Sequence, residues 1–157
     1  QKLDSAKWFI DAIKQRQQTL TKTMQTIIDL QHDFFIEGDE SSLKPMILKD
    51  VAEKIGMDIS TVSRVVNSKS VQTDLGTYPL KYFFSESIAT DSGVDVSSRE
   101  VKNELKKIVE SESKSKPLSD DKIVKLLNEQ GYQLARRTVA KYREQLGIPV
   151  ARLRKEL

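Results

Sequence analysis

The sequence predicts an all-α fold in which one long helix precedes two small helix-turn-helix domains joined by a flexible linker. Three observations predict this fold. Apolar residues recur at helical spacing over residues 1–37, with no glycine or proline among them. Two later segments each contain an apolar stripe, a glycine and a second apolar stripe. A stretch rich in serine, aspartate and glycine separates these two segments.

Residues 1–40 are predicted to form the long helix. Their apolar residues fall on a helical stripe, and Gly38 is placed to end the helix. An uninterrupted helix over the apolar repeat, residues 6–35, would be roughly 45 Å long, and a helix of that length in so small a chain suggests a strut between two folded parts. A helical hairpin that breaks near the segment QRQQTL, residues 15–20, is the alternative.

Residues 43–85 are predicted to form the first small domain. A helical unit this short needs large side chains to bury enough area. We therefore expect the aromatic residues at its end to close the core rather than to stack on nucleobases. These aromatic residues are Tyr78, Tyr82, Phe83 and Phe84.

The segment LKDVAEKIGMDISTVSRVVNSK, residues 48–69, has the helix-turn-helix pattern. Its apolar spacing predicts a first helix that ends at Gly56, then a short turn and a second helix with three valines on its buried side. Opposite those valines lie Ser60, Arg64 and Asn67, which are small polar residues and one arginine that suit a major groove. An ordinary helical hairpin with a solvated polar face is the alternative.

Residues 86–98 are predicted to be a flexible linker, because they are rich in serine, aspartate and glycine and show no sustained period. A flexible chain of about 15 residues has an r.m.s. span of roughly 20 Å and a stretched reach of about 50 Å. Two DNA contacts one helical turn apart, about 34 Å, are within that reach. We expect almost no sheet in the chain.

Residues 99–157 are predicted to form the second helix-turn-helix domain. The apolar stripe of its first helix consists of Val101, Leu105, Ile108 and Val109. After the break at SKSKP, Ser119 is placed to cap the next helix, and two aspartates in the first turn suit the helix dipole. Gly131 is placed to end that helix.

The last helix of this domain contains the segment ARRTVAKYRE, residues 135–144, with four positive charges. Its predicted buried stripe consists of Ala135, Val139, Tyr142 and Leu146. Arg137 and Lys141 point the opposite way. Arg137 lies near the N-terminal end, where a recognition helix reads bases, and its guanidinium matches guanine O6 and N7. Arg136, Arg143 and Lys141 are placed for phosphate contacts.

The two domains also align with each other. The segment STVSRV, residues 60–65, matches RTVAKY, residues 137–142, and the upstream VAEKIG matches LLNEQG. The turn of the second domain is two residues longer. Two helix-turn-helix units in one chain imply two contact sites on one duplex.

Positive charge is concentrated at the C-terminal end, although the net charge is only +3. Residues 101–157 hold fourteen lysines and arginines against eight acidic residues. Such a patch favours polyanions, nucleic acid first, and a solubilising basic tail is the alternative. The absence of cysteine excludes disulfides and thiolate metal sites. No apolar run approaches the length of a membrane span.

No constellation of residues predicts an enzyme, a metal site or a cofactor. His32 is the only histidine and is expected on a helix surface. There is no phosphate-cradling glycine loop and no metal-ligand spacing. Arg136, Arg143, Tyr142 and His32 superficially resemble a tyrosine-recombinase set. Tyr142 falls on the buried stripe, however, and is poorly placed as a nucleophile.

The decapeptide ARRTVAKYRE matches the RpoN box completely, so the chain resembles the sigma-N (sigma fifty-four) class of bacterial RNA polymerase sigma factors. Four further segments support the resemblance: KPLSD, GMDISTVSRVVNSK, LKYFFS and AKWFIDAIKQRQQTL. It covers nearly the whole chain and is weakest in residues 86–98. The chain begins at Gln1 in predicted helix, so we expect a C-terminal fragment of such a factor.

The resemblance implies a role for each part of the chain. Residues 1–40 resemble the end of the core-binding region with its extra-long helix. Residues 43–85 resemble the domain that reads the downstream GC promoter element. Residues 99–157, with the RpoN box at 135–144, resemble the domain that reads the upstream GG element.

Candidate DNA-contacting residues lie on the second helix of each domain. By the resemblance, Arg64 serves the downstream element. Arg136, Arg137 and Lys141 serve the upstream one. The full set of candidates is Ser60, Thr61, Ser63, Arg64, Asn67, Arg136, Arg137, Thr138, Lys141 and Arg143.

The function implied is promoter binding by the DNA-binding part of an alternative sigma factor in the bacterial cytoplasm. The implied partners are double-stranded promoter DNA, the RNA polymerase core and, in the full-length protein, an ATP-dependent activator. The family's activator-responsive region is missing from this sequence, so a monomeric fragment is expected to bind DNA without restraining polymerase. A polymerase- or protein-interaction module with a non-specific basic DNA-binding tail is the alternative.

Overall fold

The computed structural model describes residues 1–156 and forms two compact units, Gln1–Phe84 and the residues from Ser85 onward. Each unit is mostly helical and has its own hydrophobic core. The boundary lies directly after the aromatic end of the first predicted domain. The residues predicted to be a linker therefore belong to the second unit.

Helices α1 (Lys2–Leu30) and α2 (His32–Glu37) begin the first unit. Helix α1 runs unbroken through residues 15–20, so the long helix is confirmed there and the hairpin alternative is wrong, but the helix ends at Leu30 and not at Gly38 as predicted. Its 29 residues give a length of about 44 Å. Gln31 is the single residue between the two helices, and Gly38 ends α2 in the left-handed conformation, with φ of 72°.

The buried Gln31 side chain fixes the break between α1 and α2. Its Nε2 donates to the carbonyl oxygens of Lys44 at 2.8 Å and Phe83 at 3.0 Å, and its Oε1 accepts from the Lys44 N–H at 2.9 Å. A buried amide is tolerated when its polar atoms keep partners. This one side chain therefore joins three separate segments of the first unit.

Helices α3 (Leu48–Ile55) and α4 (Ile59–Ser68) follow, separated by a three-residue turn. Gly56 ends α3 in the left-handed conformation, with φ of 67°. The fully buried residues of the two helices are Val51, Ala52, Val62 and Val66. Leu48, Ile55 and Val65 pack against the same core while partly buried. The predicted apolar stripes are therefore confirmed.

A β-hairpin of β1 (Ser70–Thr73) and β2 (Gly76–Pro79) follows α4, although almost no sheet was expected. Val71 pairs with Tyr78, and both side chains pack against the core. Four-residue strands are too short for periodicity to distinguish them from a loop. A 3₁₀-helix, Leu80–Phe83, leads out of the hairpin.

Aromatic rings close the core of the first unit, as predicted. Phe83 is fully buried, and Tyr78, Tyr82 and Phe84 pack against it while partly buried. The Phe34 ring lies 5.6 Å from the Phe83 ring and 5.5 Å from the Tyr78 ring, both edge-on. Such pairs add stability beyond their buried area.

Within residues 85–156 the second unit contains four helices: α5 (Ser98–Ser111), α6 (Asp120–Glu129), α7 (Arg136–Gln145) and α8 (Ala151–Arg154). Its core consists of Ile88, Val101, Leu105, Ile123, Leu127, Val139 and Tyr142. The predicted positions of Val139 and Tyr142 are confirmed, and Leu146 packs against them while partly buried. Ala135 is exposed, so its assignment to the buried stripe was wrong. It is the residue before the first turn of α7, where the helical wheel no longer applies.

The prediction of a flexible linker at 86–98 is wrong for this structure. Strands β3 (Ser87–Ile88) and β4 (Val96–Ser97) form an antiparallel hairpin, and the Ile88 side chain enters the core of the second unit. Backbone bonds extend the attachment, with Gln133 N–H donating to the Ala89 carbonyl at 2.9 Å. Two apolar residues and a few backbone bonds thus order a segment whose composition is that of a loop.

Helix α8 is held to the second unit by an ion pair between Arg154 and Glu112, which are 9% and 6% exposed. Arg154 Nε donates to Glu112 Oε1 at 2.6 Å, and Nη2 donates to Oε2 at 2.9 Å. The remaining donors reach the carbonyls of Pro149 and Leu118. The chain after α7 is therefore tied back to the end of α5.

Candidate nucleic-acid interface

Helix α7 begins with two arginines, Arg136 and Arg137, and has no acidic residue in its first turn. Cations near a helix N-terminus oppose the macrodipole, typically by about 0.3–1 kcal/mol each. The residue before the helix, Ala135, provides no side-chain cap. The two cations and the missing cap therefore lower the stability of the first turn of α7. The same turn is well suited to bind an anion, because both the arginine charges and the helix dipole attract it.

The packing of α7 decides which of its cations are available. Val139 and Tyr142 are fully buried and dock the helix. Arg137, Lys141 and Glu144 lie on the exposed side. Residues four apart lie one above the other on a helix, so Arg137 and Lys141 form one cationic row. The predicted orientation is confirmed, and contact with DNA stays a prediction.

Two of the candidates in the first turn differ in their present partners. Arg137 is exposed and makes no ion pair within residues 1–156. Arg136 Nε lies 3.3 Å from Asp121 Oδ1, and both side chains are exposed. Such surface pairs contribute little, so Arg136 remains available to another anion. Thr138 is half-buried, and its N–H donates to the Ala135 carbonyl at 3.0 Å.

Lys141 is paired within the second unit. Its Nζ lies 3.3 Å from both carboxylate oxygens of Glu86, which precedes β3. The ammonium groups of Lys141 and Lys102 lie 5.9 Å and 5.1 Å from the centre of the Tyr142 ring. The Tyr142 hydroxyl is buried without a hydrogen-bond partner within the described residues. Burial, and then the charge of Glu86, raise its pKa.

Arg143 was predicted to contact phosphate, and the structure contradicts this. Its side chain is 4% exposed. Nε and Nη2 donate to the two carboxylate oxygens of Asp120 at 2.9 Å and 3.4 Å, and Nη1 donates to the Ile148 carbonyl at 2.9 Å. The guanidinium joins α7 to the start of α6 and to the chain beyond α7. A helical wheel places Arg143 at the border of the buried stripe. It cannot show that the Asp120 carboxylate lies close enough to form a buried ion pair with it.

Helix α4 carries the candidates of the first unit. Ser60, Arg64 and Asn67 are exposed, whereas Thr61 and Ser63 are half-buried. Asn67 Nδ2 donates a hydrogen bond to Ser63 Oγ at 3.1 Å, which links these two side chains on the same face of α4. The predicted polar face is therefore present, opposite the buried Val62 and Val66. Arg64 is its one cation and makes no ion pair within residues 1–156.

A second arginine, Arg16 of α1, lies beside Arg64, and sequence reasoning missed it. The two side chains line two grooves between α1 and α4, and one of these grooves is also lined by Met57 and Asp58 of the turn and by Thr61 of α4. Residues 1–40 hold five lysines and arginines against seven acidic residues, a balance that argues against DNA contact in this part of the chain. Only the packing of α1 on α4 brings Arg16 close to Arg64.

Within residues 1–156, no group of three or more histidine, cysteine, aspartate or glutamate side chains could hold a metal ion. His32 is exposed, with Nδ1 4.0 Å from Asp33 Oδ1. Tyr142 is too buried to act as a nucleophile. No helix in this part of the chain is long and apolar enough to cross a membrane.

The sequence matches the family described as "Sigma-54, DNA binding domain" over residues 1–156. The RNA polymerase sigma-54 factors of Vibrio anguillarum and Escherichia coli (strain K12) are 48% and 44% identical to it over 155 residues. Those alignments cover 99% of this chain and 32% of each relative. The chain thus spans about a third of the length of these curated relatives.

A solved structure is also similar to nearly the whole chain. The crystal structure described as Aquifex aeolicus sigmaN bound to promoter DNA is 42% identical, with a TM-score of 0.62. The match covers 95% of this chain and 44% of that chain. Family match, sequence identity and fold therefore agree. The chain belongs to the sigma-54 DNA-binding domain family.

Proposed function

We propose that the chain binds promoter DNA sequence-specifically, as the DNA-binding part of an alternative sigma factor that directs RNA polymerase to enhancer-dependent promoters. The observation that carries the proposal is the exposed cationic row of α7, with Arg137 unpaired within residues 1–156 and Lys141 one turn away. The relatives' name, RNA polymerase sigma-54 factor, and the promoter DNA bound to the similar sigmaN structure support it.

The two helix pairs α3–α4 and α6–α7 act as helix-turn-helix readers in this proposal. Helix α7 enters a major groove at the upstream GG element, where the Arg137 guanidinium donates to O6 and N7 of one guanine. Arg136 and Lys141 contact phosphates and fix the register. Helix α4 serves the downstream GC element, with Arg64 as its main polar contact and Ser60 and Asn67 beside it.

Polymerase is the second proposed partner, and α1 is the part that contacts it. The first half of α1 exposes a set of large apolar side chains: Leu3, Trp8, Phe9, Ile10 and Ile13. A cluster of this kind on a helix is typical of a protein interface. The proposal includes the ATP-dependent activator only for a full-length factor. It assigns the protein to the bacterial cytoplasm and involves no catalysis and no cofactor.

The deciding experiment is a binding titration at fixed salt, because affinity for DNA depends strongly on ionic strength. One duplex carries GG and GC elements one helical turn apart, and two others have either element scrambled. The proposal expects scrambling of GG to abolish specific binding and scrambling of GC to weaken it. Equal binding to all three duplexes would contradict the proposal. It would favour the alternative, a protein-interaction module with a non-specific basic DNA-binding tail, which the exposed apolar side chains of α1 also favour.

A further inference from the structure

Glu86 is an acidic residue placed among the cations of the candidate DNA-binding surface. Its carboxylate oxygens both lie 3.3 Å from Lys141 Nζ. Lys102 of α5 also interacts electrostatically with Glu86. The pKa of Lys102 is lowered, and the negative charge of Glu86 acts in the opposite direction by raising it. Burial is the main cause of that lowering, and the charges of Lys141 and Arg99 add to it. Two lysines, Lys141 and Lys102, therefore lie near the one carboxylate of Glu86.

The backbone holds Glu86 in this place. Its carbonyl accepts from the Ser98 N–H at 2.8 Å, at the start of α5, and the next residue, Ser87, pairs with Ser97 across the β3–β4 hairpin. The segment that was predicted to be a linker thus places the Glu86 carboxylate next to Lys141 of α7. A substitution that keeps the backbone leaves these bonds intact.

The ion pair itself is exposed, with 52% of the Lys141 side chain and 62% of the Glu86 side chain accessible. Exposed pairs of this kind are weak, so an incoming anion can displace the carboxylate. A DNA phosphate is an anion of similar size with the same preference for lysine ammonium groups. Lys141 also lies on the same helix face as Arg137, one turn further along.

We propose that Glu86 is an intramolecular competitor for a DNA phosphate: its carboxylate occupies the position near Lys141 and Lys102 that a backbone phosphate takes, and DNA displaces it. This inference rests on the proposed function and adds to it a residue that limits affinity. Glu86 therefore acts on phosphate contacts and leaves base reading by Arg137 unchanged. The effect on affinity is the same on every duplex sequence.

The test compares wild type with Glu86→Gln, which keeps shape and backbone but removes the charge. Glu129→Gln is the matched control, because Glu129 is exposed on α6 and makes no ion pair within residues 1–156. Glu86→Ala is a second variant, and amide spectra verify that each variant is folded. Binding is titrated over a series of salt concentrations, on a duplex with both elements and on a random duplex.

We expect Glu86→Gln to bind both duplexes about two- to fivefold more tightly and to steepen the salt dependence by about one phosphate contact. In a protein that also carries Lys141→Met, Glu86→Gln should increase the DNA affinity much less, because the main cation for which the carboxylate and the phosphate compete is absent. Unchanged or weaker binding by Glu86→Gln would overturn the inference, as would an equal gain by Glu129→Gln. Failure of the proposed function is seen separately, as equal wild-type affinity for the two duplexes.

Discussion

Arg143 Nε donates to Asp120 Oδ1 at 2.9 Å, with Arg143 buried and Asp120 nearly so. The pair links the last turns of α7 to the first residue of α6 and contributes to the stability of the second unit. One of the four cations in the ARRTVAKYRE segment is therefore structural. The other three, Arg136, Arg137 and Lys141, are exposed.

Replacing Arg143 by alanine should destabilise the second unit by about 3 kcal/mol, near the lower end of the range for breaking a buried ion pair. The substitution leaves the Asp120 carboxylate and the Ile148 carbonyl without their donor. Amide hydrogen exchange in α7 measures the loss. A variant with native exchange rates and weakened DNA binding would show that Arg143 contacts DNA after all.

Replacing Arg137 by alanine should weaken binding to the upstream element by about 1–3 kcal/mol and relax discrimination at one G·C pair. The stability of the second unit should stay the same or rise slightly, because a cation leaves a helix N-terminus. Titrations with each base substituted in turn measure the discrimination. Arg152→Ala removes an equal charge from an exposed site in α8 and is the control. An equal loss on random DNA would reduce Arg137 to a phosphate contact.

Tyr142 offers a matched pair of substitutions. Alanine should cost about 3–5 kcal/mol, because it leaves a cavity in the core of the second unit, and should unfold much of it. Phenylalanine keeps the ring and should change the stability by less than about 1 kcal/mol, because the buried hydroxyl makes no hydrogen bond of ordinary geometry within the described residues, although the Ser98 and Glu86 side chains lie near enough to affect its pKa. Thermal melting followed by amide spectra of the second unit separates the two outcomes. A native melting curve for the alanine variant would contradict the core assignment.

The Glu112–Arg154 pair should make the second unit sensitive to acid. The hydrogen bond from Arg154 is the main cause that lowers the pKa of Glu112 below its ordinary 4.5. A lowered folded-state pKa gives stability that is present above about pH 4.5 and is lost as the pH falls through the folded value. Wild type should therefore exceed Glu112→Gln in unfolding free energy at pH 7, by about 2–3 kcal/mol, and the difference should shrink below pH 4.5.

Urea unfolding at several pH values, followed by second-unit amides, measures that difference. Glu110→Gln is the control, because Glu110 forms an exposed 3.9 Å pair with Lys106 that should contribute little at any pH. A difference between wild type and Glu112→Gln that is constant from pH 3 to pH 7 would show that the charge of Glu112 is not what stabilises α8.

Periodicity was sufficient to predict most helices and their buried sides. Val62, Val66, Val139 and Tyr142 are buried as predicted, since an amphipathic stripe that long has one low-energy way to lie on a core. The same reasoning predicted the exposed sides of α4 and α7. The helix break at Gln31 could not be predicted, because it depends on hydrogen bonds to Lys44 and Phe83, which are distant in sequence. The two hairpins could not be predicted because strands of two to four residues are too short to show a periodicity.

The amino-acid sequence alone determined the helical class, the two apolar cores and the cationic row of Arg137 and Lys141, because these depend on local spacing along a helix. Tertiary structure decided the roles of individual charges. Asp120 lies 23 residues before Arg143 and holds its guanidinium in a buried ion pair. Glu86 lies 55 residues before Lys141 and forms an ion pair with its ammonium group. The availability of a cation depends on which carboxylates the fold brings to it, and contacts at such separations leave no periodic signal in the sequence.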